Sequence, residues 1–393
     1  MTTSSEPSVL PILSAANFMI GMGAFMVVGM LNPVAETLGL TPSRAGLLMV
    51  VYALAYALLS PLLVSLTGRI GRRRVLAAGL ATFAVSNLIA AMATGETTIL
   101  ISRVIAAAGA GVVTPVSAAV AAGLSAPERQ ARALAAVFFG LTLAQVLGVP
   151  LGSYVAYTFG WRMAFWLVAA LCVPVVALIW LRIPPGLSFR PVSLRDLGQT
   201  LGNFRHMLAV SFTTVFLGAI YVIYTYLAPL LSGTMSYDRN GITLALLAFG
   251  LGAVVGNLAG GRMSDRIGTT RTLLSLALIQ ALIMPFFSTL PVQDVLLMLL
   301  VFTWAAFGWS FMAAQQSRLI GLDPDRAPVL LALNAAAIYV GAAVGSAVGA
   351  DALSRAGLTA LGMTGGMGAL LAAVVLGLSV WANARATASR SLE

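Results

Sequence analysis

A single arginine stands inside an otherwise apolar stretch of this chain. Arg103 lies away from both ends of the hydrophobic run over 98–122. An arginine in the hydrocarbon region of a membrane costs about 2.5–3.5 kcal/mol on insertion scales, and it usually has a function. We therefore expect Arg103 to face the interior of a helix bundle and to have a functional role. The alternative is an arginine that extends to the outer membrane surface.

The carboxylates are distributed very differently from this arginine. All twelve acidic residues lie in predicted loops, tails or helix ends. A proton carrier needs a titratable group that alternates between the two aqueous sides, and no acid or histidine in the middle of a predicted span provides one. Asp351 is a weak substitute candidate, and a substrate that itself carries the proton is the other possibility.

The residue types needed for catalysis or metal binding are scarce. The chain has one cysteine, Cys172, and one histidine, His206, so we expect no intrachain disulfide and no metal site built from these residues. The glycines from Gly250 to Gly256 imitate a nucleotide fingerprint, but no strand precedes them. We expect no catalytic residues, no cofactor and no coupling to ATP, so the chain is predicted not to be an enzyme.

Composition determines the class of fold. The chain is 60% hydrophobic and 9% charged, with a mean hydropathy of +0.97, which a soluble protein of this length does not have. A spanning helix needs ~20 apolar residues, and its backbone must bond internally. The sequence predicts an all-α integral membrane protein with twelve transmembrane helices, α1 to α12, at 9–31, 45–67, 75–94, 98–122, 133–156, 163–181, 207–231, 242–261, 272–290, 294–316, 328–351 and 359–381.

A short basic segment occurs once in each half of the chain. Residues 64–76 read VSLTGRIGRRRVL and residues 261–273 read GRMSDRIGTTRTL, an offset of 197 residues. Such a repeat predicts two pseudo-symmetric six-helix halves with a transport pathway between them. We place the halves at 1–182 and 207–393, joined by a polar linker over 183–206. Within it, Leu194–Leu201 is either a short interfacial helix or plain linker.

The basic residues indicate the orientation in the membrane. With both termini inside, the inner segments carry seventeen of the 22 arginines and the outer loops carry four. This asymmetry follows the positive-inside rule, so we expect both termini in the cytoplasm of a bacterium and the protein in its inner membrane. The basic excess then orients the protein and contacts anionic lipid. It does not require a nucleic-acid partner.

Small residues recur every fourth position on three predicted helices. The series are Gly140-Ala144-Gly148-Gly152 on α5, Gly252-Gly256-Gly260 on α8 and Gly341-Gly345-Gly349 on α11. This spacing lets helix backbones approach closely. We expect helix interfaces that slide or rock, with tight static packing as the alternative.

Several of these motifs together resemble the major facilitator superfamily of transporters. They are Arg69-Ile70-Gly71-Arg72-Arg73-Arg74, Arg103 with Gly109-Ala110-Gly111, Gly148-Val149-Pro150-Leu151-Gly152, Gly160-Trp161-Arg162, and Leu333-Asn334 with Gly341 to Gly349. The chain is most similar to the drug/proton antiporter branch, which includes bacterial arabinose-type and chloramphenicol-type exporters. The resemblance covers nearly the whole chain and implies the major facilitator fold.

The resemblance implies a cytoplasmic latch at the two repeated turns. The first turn offers Arg69, Gly71, Arg72 and Arg73, but the usual aspartate position there is Gly68. The second turn keeps the aspartate. We therefore expect a bond from Asp265 to Arg266, to Arg271 or to a helix N-terminus, with Gly268 forming the turn; an aspartate paired weakly in a polar loop is the alternative.

Two further features follow from the resemblance. Gly148, Pro150 and Gly152 form a relaxed version of the antiporter motif, which implies a bend in α5 and favours export over uptake. Many relatives also carry a carboxylate on α1 just before a Phe-x-x-x-Gly stretch. That position is Ala24 here, so coupling through a buried carboxylate is in doubt.

In this fold α1, α4, α7 and α10 line the centre, with α2, α5, α8 and α11 beside them. Aromatic faces with a few polar groups suit amphipathic ligands, although aromatic residues near helix ends are often interfacial anchors. The candidate lining residues are Arg103, Asn17, Tyr52, Tyr56, Gln145, Tyr221, Tyr224, Trp304, Asn334 and Tyr339.

The sequence thus predicts a monomeric secondary transporter that exports small amphipathic compounds, drug-like or sugar-like, by alternating access in exchange for protons. Multidrug resistance by efflux is the corresponding physiological role. A uniporter or importer of a small organic solute, an anionic one included, without a buried carboxylate for protons is the first alternative, because the acid on α1 is missing. A membrane receptor without transport activity is the second.

Overall fold

The computed structural model describes residues 6–126, 129–187 and 194–390, and in these residues every regular element is helical. Twelve helices are long and apolar enough to cross a membrane, which confirms the predicted fold class. The spans α1 to α12 are Val9–Gly29, Pro42–Leu66, Arg72–Ala91, Glu96–Leu124, Arg132–Phe159, Trp161–Arg182, Phe204–Met235, Arg239–Ile267, Thr269–Thr289, Asp294–Leu322, Pro324–Ala356 and Ala360–Arg385.

Most of these helices extend past their predicted ends. The clearest case is α11, which was expected over 328–351 and runs over Pro324–Ala356. Hydropathy detects only the part of a helix in hydrocarbon, whereas backbone hydrogen bonding continues through the headgroup region until a cap or a turn residue ends it. Gly357, with φ +79°, ends this helix.

Several spans contain an irregular turn. The α5 span holds a π-helical turn at Ala144–Gly148, and α9 ends in a 3₁₀ turn at Met284–Thr289. The regular α-helix of α7 stops at Tyr224 and resumes at Leu227. Short helices outside the spans are Leu31–Leu38 and Leu194–Leu201, and α11 opens with the 3₁₀ turn Pro324–Arg326.

The chain divides into two compact units. The first comprises Met1–Pro191 with Tyr237–Leu247, and the second comprises Val192–Ser236 with Ala248–Glu393. The first turns of α8 thus group with the first unit. The predicted boundaries at 182/183 and 206/207 remain predictions, and part of the predicted linker, 188–193, lies outside the described residues.

The small-residue series pack helices together inside these units. On α5, Gly140 faces the backbone of Ser14, and Gly152 faces Met26 of α1. On α11, Gly345 faces the backbone of Gly218 in α7, and on α8, Gly256 faces the backbone of Ala306 in α10. A Cβ added at any of these positions would lie less than 3 Å from an atom of the neighbouring helix. The close approach of the helices therefore depends on glycine.

Candidate functional site

Arg103 is fully enclosed by the first unit. The residue is 1% exposed, and its guanidinium donates from Nη1 to the carbonyl oxygen of Gly23 and from Nη2 to that of Ala24, both at 2.9 Å. The carbon Cζ lies 4.5 Å from the centre of the Tyr52 ring. The side chain therefore points into the helix bundle, and it does not extend to the membrane surface.

The contacts of Arg103 are all with neutral groups. Among the described residues the guanidinium forms no ion pair, and its Nε has no hydrogen-bond partner. Its two acceptors are backbone carbonyl oxygens of α1, those of Gly23 and Ala24. A buried charge is expensive without a counter-ion, so the structure leaves a positive field in the core of the first half.

The second unit holds a chain of buried aromatic rings. Tyr221 and Tyr224 meet edge to face with centroids 5.5 Å apart, and Tyr224 stacks on Phe249 at 4.2 Å. Phe249 and Phe287 each meet Trp304 at 5.1 Å. Tyr221, Tyr224 and Trp304 are at most 3% exposed, so they are core residues and not interfacial anchors.

This ring chain contains polar atoms without partners. Gln280, which is fully buried, donates from Nε2 to the carbonyl oxygen of Trp304 at 2.8 Å. Its Oε1 and the indole Nε1 of Trp304 have no hydrogen-bond partner in the described part of the protein. A buried donor and a buried acceptor of this kind are what a ligand with complementary groups would satisfy.

Each half contains the same kind of contact between two helices, at equivalent positions of the repeat. Tyr52 and Phe249 are separated by the same 197 residues as the repeated turns, and Arg103 and Trp304 are separated by 201. In the first half Tyr52 on α2 contacts Arg103 on α4. In the second half Phe249 on α8 contacts Trp304 on α10. The repeat thus builds one helix-to-helix contact twice, with different chemistry.

The other candidate residues are placed separately. Asn17 is buried on α1 and donates to the carbonyl oxygen of Leu13 in its own helix. Asn334 is buried on α11, where its Oδ1 accepts a 2.6 Å hydrogen bond from Thr213 of α7. Gln145 and Tyr339 are partly buried, and the ring centroids of Tyr56 and Tyr52 lie 6.2 Å apart.

The α5 motif forms an irregular stretch of helix. Ala144–Gly148 is a π-helical turn that contains Gln145, and Pro150 follows it in the next helical segment. A proline cannot donate a backbone hydrogen bond to the preceding turn, which explains the widened helix there. Gly148 and Gly152 pack on Met22 and Met26 of α1. The glycines thus face α1 of their own half.

The two repeated turns differ in structure. Gly71 has φ −55° and caps α3, where the backbone N–H of Arg72 donates to the carbonyl oxygen of Leu187. Gly268 has φ +86°, which glycine alone adopts readily. Arg69 is exposed, and Arg73 donates to the carbonyl oxygen of Trp180 and lies 4.8 Å from its ring.

The predicted partners of Asp265 are not in contact with it. Asp265 is exposed in the last turn of α8 and forms no ion pair with Arg266 or Arg271, both of which the structure describes. Successive residues of a helix point about 100° apart, so Arg266 cannot face its neighbour, and Arg271 lies beyond the Gly268 turn. The latch role of Asp265, through an arginine or a helix N-terminus, therefore stays a prediction.

Comparison with known proteins decides the family. A family model described as Major Facilitator Superfamily matches residues 13–346 of the chain. The chain belongs to the Major Facilitator Superfamily. Its members in this comparison include the chloramphenicol resistance protein of Streptomyces lividans, which is 31% identical over 378 residues, 94% of this chain and 93% of that protein.

Two further similarities agree with this assignment to the Major Facilitator Superfamily. The inner membrane transport protein YdhP of Escherichia coli (strain K12) is 30% identical over 381 residues, 95% of this chain and 96% of that protein. The crystal structure of a bacterial homologue of the human lysosomal transporter Spinster matches with a TM-score of 0.72 at 17% identity and covers 96% of each chain. The last similarity concerns the fold alone.

Membership in the Major Facilitator Superfamily confirms the resemblance drawn from the motifs. The protein is a transporter and not an enzyme, and its twelve apolar helices make it an integral membrane protein of the bacterial inner-membrane type. Such a transporter binds a small molecule and is surrounded by lipid. Among the described residues, no group of three or more histidine, cysteine or acidic side chains is placed to hold a metal ion.

Sequence reasoning overlooked part of the site of this superfamily member. Phe249, Phe287 and Gln280 join Trp304 in the core of the second half. The offset of 197 residues from Tyr52 would have indicated Phe249. Gln280 is a polar residue inside an apolar span. A polar residue in such a position indicated Arg103, and the same reasoning would have indicated Gln280.

Proposed function

We propose that this transporter exports small amphipathic compounds across the bacterial inner membrane by alternating access, in exchange for protons. The observation that carries the proposal is the doubled contact of Tyr52 with Arg103 and of Phe249 with Trp304 on equivalent helices. Both contacts are buried away from lipid. Aromatic faces beside a few unsatisfied polar groups suit ligands that are partly apolar and carry a small number of hydrogen-bonding atoms.

The direction of transport is inferred from α5. Its Gly148-Pro150-Gly152 motif is typical of antiporters in this superfamily, and the π-helical turn at Ala144–Gly148 gives α5 a site at which it bends. The similarity to a chloramphenicol resistance protein supports export and drug-like cargo. A role in multidrug resistance follows from the same similarity.

The working architecture is part of this proposal. Two six-helix halves, 1–182 and 207–393, rock about a central site and are joined by the linker over 183–206. Both termini face the cytoplasm, as the arginine distribution indicates, and the protein works as a monomer. The two arginine-rich turns, with Asp265, act as the latch in the conformation that brings them together.

A second function is favoured by one specific observation. Arg103 forms no ion pair among the described residues, and Ala24 supplies a backbone carbonyl where related exporters have an acid. A buried unpaired cation attracts an anion. A uniporter or importer of a small organic anion, without a carboxylate for proton coupling, is therefore the alternative.

One experiment separates these functions. The purified protein is placed in liposomes with a pH-sensitive dye inside, and a pH gradient is imposed. Chloramphenicol, other amphipathic drugs, sugars and organic anions are added in turn. Proton flux that depends on an amphipathic compound supports the proposed exchange. Movement of a labelled compound without proton flux supports a uniporter. Transport of the organic anions alone supports the second function, a uniporter or importer of a small organic anion.

A further inference from the structure

The only histidine of the chain is buried at the start of α7, where it contacts an aspartate. The side chain of His206 is 4% exposed, and its Nε2 lies 3.3 Å from Oδ2 of Asp323, which is 27% exposed. Asp323 belongs to the turn between α10 and α11. One turn further along α7, Ala209 and Val210 belong to an apolar cluster with Leu319 and Leu330, so the pair closes one end of this cluster.

Both partners are held in place by the backbone. The side chain of Asn203 accepts from the N–H groups of Arg205 and His206, at 3.1 and 3.3 Å, and thereby caps α7. Asp323 caps the 3₁₀ turn Pro324–Arg326, where its Oδ1 accepts from the N–H of Arg326 at 3.2 Å. Little side-chain freedom is lost on pairing, so the charge on the imidazole decides the strength of the contact.

The geometry identifies the nitrogen that exchanges a proton. An imidazole nitrogen facing a carboxylate oxygen carries hydrogen, because two lone pairs would repel each other. Nε2 therefore keeps its hydrogen in both charge states. Nδ1 is buried and has no hydrogen-bond partner among the described residues, so it is the atom at which the ring gains and loses its second proton.

Burial and the neighbouring charges act together on the imidazole. Burial has the largest effect and disfavours the protonated ring, as do Arg326 and Arg205, whereas Asp323 favours it. Histidine is the side chain that ordinarily changes charge between pH 5 and 8. The acids considered from the sequence are poorer candidates, because Asp265 is exposed and Asp351 forms an exposed pair with Arg355 at 2.7 Å.

We propose that His206 and Asp323 form a proton-binding site that ties the start of α7 to the α10–α11 turn. Because the arginine distribution places this end of the second half in the cytoplasm, the site senses or releases protons on the inner side; this placement rests on the proposed function. Protonation places a charge on a ring that is 4% exposed and whose Nδ1 has no acceptor among the described residues, so it weakens the tie. The conformation that contains the pair is therefore stabilised at high pH and loses this stabilisation as the pH falls.

The single histidine makes direct measurement of this site possible. The full chain, purified through an affinity tag without histidine and labelled with ¹⁵N-histidine, is titrated in lipid nanodiscs by NMR. We expect one imidazole signal that titrates at Nδ1 between pH 5 and 8. In Asp323→Asn, which keeps the turn cap, the midpoint moves down by about half a pH unit or more. A signal that does not titrate in this range, or an unchanged midpoint in Asp323→Asn, overturns the proposal.

A transport measurement then tests the tie. Exchange of labelled chloramphenicol is followed in liposomes with the same pH on both sides, so that no proton gradient drives transport. We expect the exchange rate of the wild type to rise by about fivefold from pH 7.5 to pH 5.5, because protonation of the buried ring weakens the tie and speeds departure from the conformation that contains it. His206→Gln retains a hydrogen-bonding side chain without the charge, and its profile becomes flat.

The matched control is Asp351→Asn, which breaks an ion pair at the exposed end of α11 and should keep the wild-type pH profile. A His206→Gln profile equal to that of the wild type overturns the proposal. The NMR titration requires no transported substrate. Failure of the proposed function, seen as no exchange of any compound by the wild type, is therefore distinguishable from failure of the proton site.

Discussion

The two halves of this transporter share a helix arrangement and differ in what they bury. At the α2–α4 contact of the first half a tyrosine ring covers an arginine that is bonded to backbone carbonyls. At the equivalent α8–α10 contact of the second half a phenylalanine meets a tryptophan, in a chain of five rings. The two halves therefore share a helix contact, but the first half buries a charged side chain there and the second half buries aromatic rings.

The close helix pairs show the same contrast. Gly345 on α11 faces the backbone of Gly218 on α7, whereas Gly148 on α5 faces side-chain atoms of Met22 on α1 at 3.0 and 3.2 Å. Backbone cannot yield to an added methyl group, but a methionine side chain repacks. The two halves should thus tolerate substitution at equivalent glycines to different degrees.

The largest expected effect concerns Arg103, the buried charge of the first half. Arg103→Ala removes the buried charge and both bonds to α1, so we expect transport to fall at least about a hundredfold while the protein remains folded. Arg162→Ala is the matched control, because Arg162 also donates to a backbone carbonyl, that of Ala93 at 2.7 Å, and lies on an aromatic ring at 4.2 Å. Liposome uptake and thermal unfolding are measured together. Normal transport by Arg103→Ala would remove this residue from the mechanism.

The packing contrast is tested next. Gly345→Ala should lower the unfolding free energy by roughly 2–3 kcal/mol, because the new Cβ would overlap the carbonyl of Gly218. Gly148→Ala should cost about 1 kcal/mol, because the nearest atom, Cβ of Met22 at 3.0 Å, has to shift by only a few tenths of an ångström. Gly377→Ala serves as the control, because nothing lies within 4 Å of a Cβ at this position. Thermal unfolding in detergent checks the order, and equal losses at 345 and 148 would contradict the contrast.

The repeated turns provide a smaller difference. Gly268→Ala should destabilise the second half by about 1–2 kcal/mol, because φ +86° is strained for any residue with a Cβ. Gly71→Ala should cost less than about 0.5 kcal/mol, because φ −55° is ordinary and the nearest atom to a Cβ is 4.0 Å away. Both are measured by thermal unfolding. A greater loss at 71 than at 268 would argue against the turn structures described above.

The smallest expected effect concerns Trp304, in the ring chain of the second half. Trp304→Phe keeps a ring but removes the indole N–H, which has no partner in the described protein. Stability should therefore stay within about 1 kcal/mol, while affinity for a cargo with a hydrogen-bond acceptor should fall about fivefold. Trp309→Phe is the control on the same helix, because its Nε1 is also without a partner and Trp309 lies outside the ring chain. Equal losses of affinity in both variants would show that the effect is not local to Trp304.

Much of the fold was accessible from the sequence because hydropathy and repetition are properties of sequence. Twelve apolar stretches of sufficient length predicted twelve helices, and the structure has them. The interior position of Arg103 followed from the cost of exposing a charge to lipid. Ends of helices were predicted less well, since α11 begins with a 3₁₀ turn capped by Asp323 that hydropathy does not detect.

The sequence by itself determined the solvent, the number of helices, the duplication and the family, because each depends on composition or on a motif read along the chain. Only the tertiary structure decided the partners of individual side chains. It directed Arg103 to the carbonyls of Gly23 and Ala24, left Asp265 apart from its expected arginines, and joined His206 to Asp323. These contacts link residues up to 117 positions apart, and helix packing alone brings such positions within reach of one another.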